Sequence, residues 1–157
     1  MDFEAVLAVA RDVLPGYFGP GARALAALRP TDELYDRVFT AAAAGPAREA
    51  YAALWTAAPN LPQPPAGSGP LVNAALADDF AAAGPRSKPF PNGYRTVADK
   101  LQPGITWLVM RFVQPGSTIG LAFDGFVHVG ERQFVWFPKP WKILAAQSPS
   151  EWTHWSD

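Results

Sequence analysis

The sequence predicts an α+β fold in which N-terminal helices pack on a C-terminal antiparallel sheet. Three apolar runs between residues 105 and 144 are rich in aromatic and β-branched residues, and turn dipeptides separate them. This pattern is typical of antiparallel strands. Upstream of the runs, apolar residues such as Phe3, Val6 and Ala10 recur at helical spacing. Helices followed by strands are the element order of an α+β domain.

Strands are predicted at 105–114 and 118–129, followed by a third strand that begins at Arg132. Gly130-Glu131 suits a two-residue type II′ turn, because glycine adopts a positive φ without steric cost. This turn would pair Val127 with Phe134. The preceding turn at 115–117 contains Pro and Gly, but its loop length is open, so the pattern does not decide which sheet face carries Trp107.

Side chains alternate between the two faces of a strand. One face of strand 118–129 then carries the apolar set Ile119, Leu121, Phe123, Val127 and Val129. We expect this face to lie against the helices. The opposite face carries the mixed set Ala122, Asp124, Phe126 and His128. We expect that face to meet solvent or a partly lined cavity.

Helices are predicted at 2–14, 22–28, 31–43 and 71–83, with another that begins at Pro46. Asp2 and Thr31 are good N-cap residues, and Gly45-Pro46 is expected to end one helix and start the next. Residues 94–97 are predicted as a short strand or a sheet edge. A proline-rich connector is expected at 58–70.

Length and composition predict one domain of 157 residues, with a C-terminal tail at 145–157. Trp152 and Trp155 in this tail are expected to fold back onto the core. A formal net charge of −1 argues against nucleic acid or an acidic membrane as a partner. No cysteine, signal peptide or apolar run of about 18 residues is present, which predicts a cytoplasmic protein without a membrane span.

The segment DGFVHVGERQFVWFPKPW, residues 124–141, resembles the terminal strand pair of uncharacterised bacterial proteins near the NTF2-like group. The order of the elements also resembles the NTF2-like cone, in which N-terminal helices pack into the concave face of a curved sheet. This resemblance implies a cone-shaped α+β fold. It does not imply one function, because such folds host enzymes, binding modules and partner proteins alike.

Asp124 and His128 are the candidate catalytic residues, since alternation puts both on the same strand face. They would act across a substrate, with Asp124 as general base. The alternative is structural: Asp124 precedes Gly125 because the strand bulges there, and His128 lies in solvent near a hairpin end. No glycine-rich phosphate loop, nucleophile elbow or set of metal ligands is apparent, so neither a cofactor nor a metal is expected.

Arg111 is a lone charge in an apolar strand, and a buried arginine needs a partner. Asp124 on the neighbouring strand is the expected one. Arg95 and Arg132 are further candidates for anion recognition. Aromatic residues are dense in and near the strands, and they form either plain core or an exposed strip that engages a partner. The candidate binding residues are Arg111, Trp107, Phe126, Trp136, Trp141 and Tyr94.

We therefore predict a non-catalytic binding or protein-interaction module that uses an aromatic sheet face and the Pro-flanked Trp141 edge. Its partner would be another protein, a second copy of the chain, or a small apolar ligand. Two alternatives are an NTF2-like enzyme for proton transfer or hydration, with Asp124 in a cavity, and a self-assembling structural protein.

Overall fold

The computed structural model describes residues 1–19, 21–57 and 61–145. The helices are α1 (Phe3–Val13), α2 (Asp32–Val38), α3 (Ala41–Thr56), α4 (Ala77–Ala82), α5 (Gly93–Thr96) and α6 (Pro140–Ile143). Short 3₁₀ turns lie at Leu14–Tyr17, Leu25–Leu28, Pro85–Ser87 and Ala98–Lys100. The strands are β1 (Gly69–Leu76), β2 (Thr106–Val113), β3 (Gly120–Gly130) and β4 (Gln133–Trp136).

Within these ranges the strands form one four-stranded antiparallel sheet of order β1-β2-β3-β4. The α+β fold class and the three C-terminal strands are therefore confirmed. Helix α1 is also confirmed, and the Asp2 carboxylate caps it by accepting a hydrogen bond from the backbone N–H of Ala5 at 2.8 Å.

Both faces of the sheet are covered, and each face has its own apolar core. On what we call the α3 side, the strands pack against α2, α3 and the short helices α4–α6 through Trp107, Val109, Val127, Val135 and Phe137. On the α1 side, they pack against α1, the two following 3₁₀ turns and Trp55 through Leu108, Met110, Phe123, Phe126, Phe134 and Trp136. The prediction of helices on one face is therefore incomplete.

The predicted helix at 71–83 is wrong in its first half, because residues 69–76 form strand β1. The alanine-rich sequence favours a helix locally, but Val72 is buried on the α1 side and Ala75 on the α3 side. Pairing with β2 along eight residues overrides this local preference. Helix α4 starts directly afterwards, where the Asp79 carboxylate accepts a hydrogen bond from Leu76 N–H at 2.8 Å.

The predicted helix break at Gly45-Pro46 is also wrong, since α3 runs through both residues. The chain breaks earlier, at Phe39 and Thr40. Phe39 forms an isolated β-bridge with Leu101, and Thr40 N–H donates to the Lys100 carbonyl at 2.9 Å. This long-range pairing holds the backbone extended there.

The predicted face assignment for β3 is correct only before Gly125. The β2–β3 register shifts at this point: Leu108 pairs with Phe126, but Val109 pairs with Asp124. Gly125 is the additional residue, with φ of 91°. After this β-bulge the alternation reverses, so Phe123 faces the α1 side while Val127 and Val129 face the α3 side.

Ile119 does not face the helices as predicted, since it is 85% exposed in the loop before β3. The predicted hairpin register is wrong by one residue, because His128 pairs with Phe134 and Val127 with Val135. A second register shift between His128 and Gly130 moves the turn to Glu131-Arg132.

Residues 94–97, predicted as a strand or edge, belong largely to α5. The proline-rich connector has no regular structure at 61–65 and gives way to β1 at Gly69, while its first residues, 58–60, lie outside the described residues. The tail beyond residue 145, with Trp152 and Trp155, also lies outside them.

Candidate functional site

Asp124 occupies a closed polar centre on the α3 side of the sheet. Asp124 is only 4% exposed. One carboxylate oxygen, Oδ2, accepts hydrogen bonds from the Tyr94 hydroxyl at 2.6 Å and from Lys139 N–H at 3.0 Å. The Asp124 carbonyl accepts a third from the Trp136 indole at 2.8 Å. The side chain therefore links β3, α5 and the segment after β4.

The segment after β4 is held in place by this centre. Phe137 N–H donates to the Gly125 carbonyl at 2.7 Å, and the Tyr51 hydroxyl of α3 donates to the Pro138 carbonyl at 2.9 Å. Lys139 has a positive φ of 48° and begins the turn into α6. The Asp124 hydrogen bond to Lys139 N–H supports this left-handed conformation, which is unfavourable for a residue with a Cβ.

Burial raises the pKa of the Asp124 carboxyl above its usual value, while the hydrogen bonds from Tyr94 and Lys139 oppose the rise. Burial and the nearby Asp124 carboxylate together raise the Tyr94 pKa well above that of an exposed tyrosine. The carboxyl has a raised pKa, as a general base often does, but hydrogen-bond donors already occupy it and solvent reaches it little.

Asp124 and His128 do not share a face, and this prediction is wrong. The bulge at Gly125 lies between them, so Asp124 faces the α3 side. His128 projects to the α1 side, with its ring 5.3 Å from that of Phe134. His128 Nε2 lies 2.9 Å from the Glu131 carbonyl across the hairpin turn. The structural alternative for Asp124, a strand bulge at Gly125, is the one confirmed.

The predicted Arg111–Asp124 pair is not formed. Arg111 lies opposite Ala122 in the sheet, and its guanidinium donates to the Pro89 carbonyl. The Asp124 carboxylate instead accepts hydrogen bonds from the Tyr94 hydroxyl and from Lys139 N–H. The half-buried Arg111 thus fixes the loop between α4 and α5, and a carbonyl oxygen satisfies it in place of a carboxylate.

The aromatic candidates are core residues. Trp107, Phe126, Trp136 and Tyr94 are all fully buried. Trp141 is half-buried, with its ring 5.2 Å from that of Tyr94. Because helices cover both sides of the sheet, these side chains do not form an exposed aromatic face.

An open cleft of about 590 Å³ lies instead between the start of α2 and the β3–β4 hairpin. Its apolar and aromatic lining consists of Tyr17, Ala27, Leu34, Val129, Phe134 and Val135. Its polar lining consists of Arg29, Thr31, Glu33, Arg37, Arg132 and Gln133. The lining contains three arginines and one carboxylate, in a chain whose formal net charge is −1. Positive charge is therefore concentrated at this cleft.

The three arginines are held differently. Arg37 donates to the Val129 carbonyl at 3.0 Å, which ties α2 to the hairpin. Arg132 forms an ion pair with Asp12 of α1. Arg29 is exposed and has no ion-pair partner among the described residues. Arg23 lies next to the cleft, with its guanidinium carbon 5.8 Å from the centre of the Tyr17 ring.

Arg132 is an anion-recognition residue predicted from the sequence, whereas Arg29, Glu33 and Arg37 were not predicted. Two signals were available: the Arg-Pro-Thr turn before α2, and the spacing of Glu33 and Arg37, four residues apart on one helix face. Nothing local, however, places α2 beside a hairpin about a hundred residues later. The cleft therefore depends on tertiary contacts.

The ranges 1–19, 21–57 and 61–145 contain no group of three or more His, Cys, Asp or Glu side chains placed to hold a metal ion. None of the helices in these ranges has the length and apolar character that a membrane crossing requires. No family model, curated protein or solved structure matches this chain. The NTF2-like resemblance therefore stays a prediction.

Proposed function

We propose that this protein is a binding module that holds a small organic anion in the arginine-lined cleft beside the β3–β4 hairpin. The observation that carries the proposal is that apolar side chains and the three arginines Arg29, Arg37 and Arg132 line the same concave surface. The cleft volume of about 590 Å³ lies within the range of about 300–1,000 Å³ that is typical of small-molecule sites, in which polar groups orient the ligand.

Arginine suits this role because its planar guanidinium presents several donors to a carboxylate or phosphate. Arg37 uses one donor on the Val129 carbonyl. The Arg29 guanidinium has no ion-pair partner within the described ranges. A ligand with an anionic head group and an apolar body would match both parts of the lining.

The other functions predicted from the sequence remain proposals with less support. An NTF2-like enzyme would need substrate access to Asp124, but that residue is 4% exposed and its carboxylate has two donors. A protein partner or a second copy would need a surface other than the buried aromatic residues. The open cleft supports a small ligand more directly.

A titration with 3-phenylpropionate, followed by calorimetry and by chemical shifts, tests the proposal. We expect weak binding that falls as ionic strength rises, because exposed charges are screened by salt. Arg29→Ala should weaken binding by about fivefold, the effect of one exposed charge pair. Arg95→Ala is the matched control, since Arg95 is exposed on α5 and does not line the cleft.

Binding that is unaffected by Arg29→Ala, or shift changes that map away from the hairpin, would overturn the proposal. Failure of 3-phenylpropionate, of its amino-acid analogue L-phenylalanine and of inorganic phosphate to bind at millimolar concentration would do the same.

A further inference from the structure

We infer that the ligand of this cleft is zwitterionic: a free α-amino acid with an aromatic or large aliphatic side chain. This inference rests on the proposed function and adds a second charge to the ligand. The carboxylate would meet Arg29 and Arg37, the ammonium group would meet Glu33, and the side chain would lie against the apolar lining of the cleft.

A ligand that is only an anion does not explain why the carboxylate residue Glu33 lines the cleft. It lines the same cleft as the arginines, and within the described ranges it has no ion-pair partner. A ligand that carries only negative charge would be repelled by Glu33, and like charges brought together at a binding surface weaken binding. An ammonium group on the ligand would turn this repulsion into attraction.

An internal partner for Glu33 is available but not used. Glu33 and Arg37 lie four residues apart on α2, with the acidic residue nearer the N-terminus, which is the favourable order for a helical ion pair. The Arg37 guanidinium instead donates to the Val129 carbonyl of the hairpin at 3.0 Å. Glu33 and Arg37 therefore line the same cleft without forming an ion pair with each other.

The charge balance of the lining also fits a zwitterion. Asp12 pairs with Arg132 and offsets its charge. Arg29, Arg37 and Glu33 remain, a pattern of two positive charges and one negative charge. This pattern matches the adjacent carboxylate and ammonium groups of an amino acid better than it matches a dianion.

The apolar lining of the cleft favours a ligand with a bulky side chain. Tyr17 and the hydrophobic residues Leu34, Val129 and Val135 contribute to this lining. Burial of an aromatic side chain against such a surface supplies binding energy in proportion to the apolar area removed from water.

Three compounds with the same aromatic body separate the two charges: L-phenylalanine, 3-phenylpropionate without the amine, and 2-phenylethylamine without the carboxylate. Their dissociation constants would be measured by calorimetry for the full chain. We expect L-phenylalanine to bind about fivefold more tightly than 3-phenylpropionate, the gain from one exposed charge pair. The amine should bind least well.

Glu33→Gln should remove the preference for L-phenylalanine and leave 3-phenylpropionate binding unchanged or tighter. Glu49→Gln is the matched control, because Glu49 is exposed on α3 and does not line the cleft. The inference is overturned if 3-phenylpropionate binds as tightly as L-phenylalanine, or if the preference survives in Glu33→Gln. Either result leaves the proposed function intact, whereas failure of all three compounds and of inorganic phosphate removes both.

Discussion

Asp124 illustrates how a single buried carboxyl group organises its surroundings. Removing a carboxylate from water is costly unless hydrogen bonds replace the lost solvent. Tyr94 and Lys139 N–H supply two such bonds. By accepting these bonds, the Asp124 carboxylate fixes the position of α5 and the left-handed turn at Lys139. Its role is best understood as a structural link between three segments.

The raised pKa of Asp124 predicts a pH dependence of stability. Because the folded-state pKa lies above the unfolded value, the protonated form favours folding. This contribution is complete below the unfolded pKa and is lost as pH rises through the folded pKa. Asp124→Asn keeps an oxygen acceptor but cannot ionise. Relative to the variant, the wild type should therefore lose stability as pH rises from the unfolded pKa of about 4 through the higher folded pKa.

Urea denaturation at a series of pH values measures this difference. Asp99→Asn, at an exposed position after α5, controls for the general loss of a negative charge. A constant difference in unfolding free energy between wild type and Asp124→Asn across the range would show that Asp124 does not carry the effect.

At the scale of elements, the β-bulge at Gly125 decides which β3 side chains enter which core. Without the additional residue, Val127 and Val129 would face the α1 side and Phe126 would face the α3 side. The bulge also brings Gly125 close to the segment after β4. A Cβ built at this position would lie 2.2 Å from the Phe137 carbonyl oxygen. The close approach and the positive φ both require glycine.

Gly125→Ala should lower the unfolding free energy by more than about 3 kcal/mol, because strain at positive φ adds to a backbone clash. Gly116→Ala is the matched control: its φ is 81°, but a Cβ there would meet no atom within 4 Å. This control should cost only about 1 kcal/mol. Equal losses in the two variants, measured by chemical denaturation, would argue against the close contact.

The sheet is the central layer of the whole molecule, and the two cores share its strands. Alternating residues of β2 enter opposite cores: Trp107 and Val109 face the α3 side, while Leu108 and Met110 face the α1 side. If a strand unfolds, both cores lose the side chains that it contributes. The two cores should therefore unfold together.

Leu14→Ala and Leu54→Ala test this coupling with the same substitution in the two cores. Leu14 is fully buried on the α1 side, and Leu54 is buried on the α3 side. Each variant should lose about 2–4 kcal/mol, the usual cost of a buried leucine truncated to alanine. Each should also keep a single transition that fluorescence and circular dichroism report at the same midpoint. Separate transitions in either variant would contradict a shared sheet.

The sequence by itself determined the features that local chemistry controls. Runs of β-branched and aromatic residues specified β2, β3 and β4, and the Asp2 cap specified the start of α1. The dipeptide Asp124-Gly125 also contained the signal for the bulge, although the face assignment did not use it.

Tertiary structure decided what depends on distant partners. Pairing with β2 made residues 69–76 a strand, and the bridge from Phe39 to Leu101 separated α2 from α3. The cleft requires α2 to lie beside a hairpin distant in sequence, so its arginines carried no common local signal. The physical reason is that hydrogen-bond pairing and burial across the chain outweigh the small energy differences between local conformations.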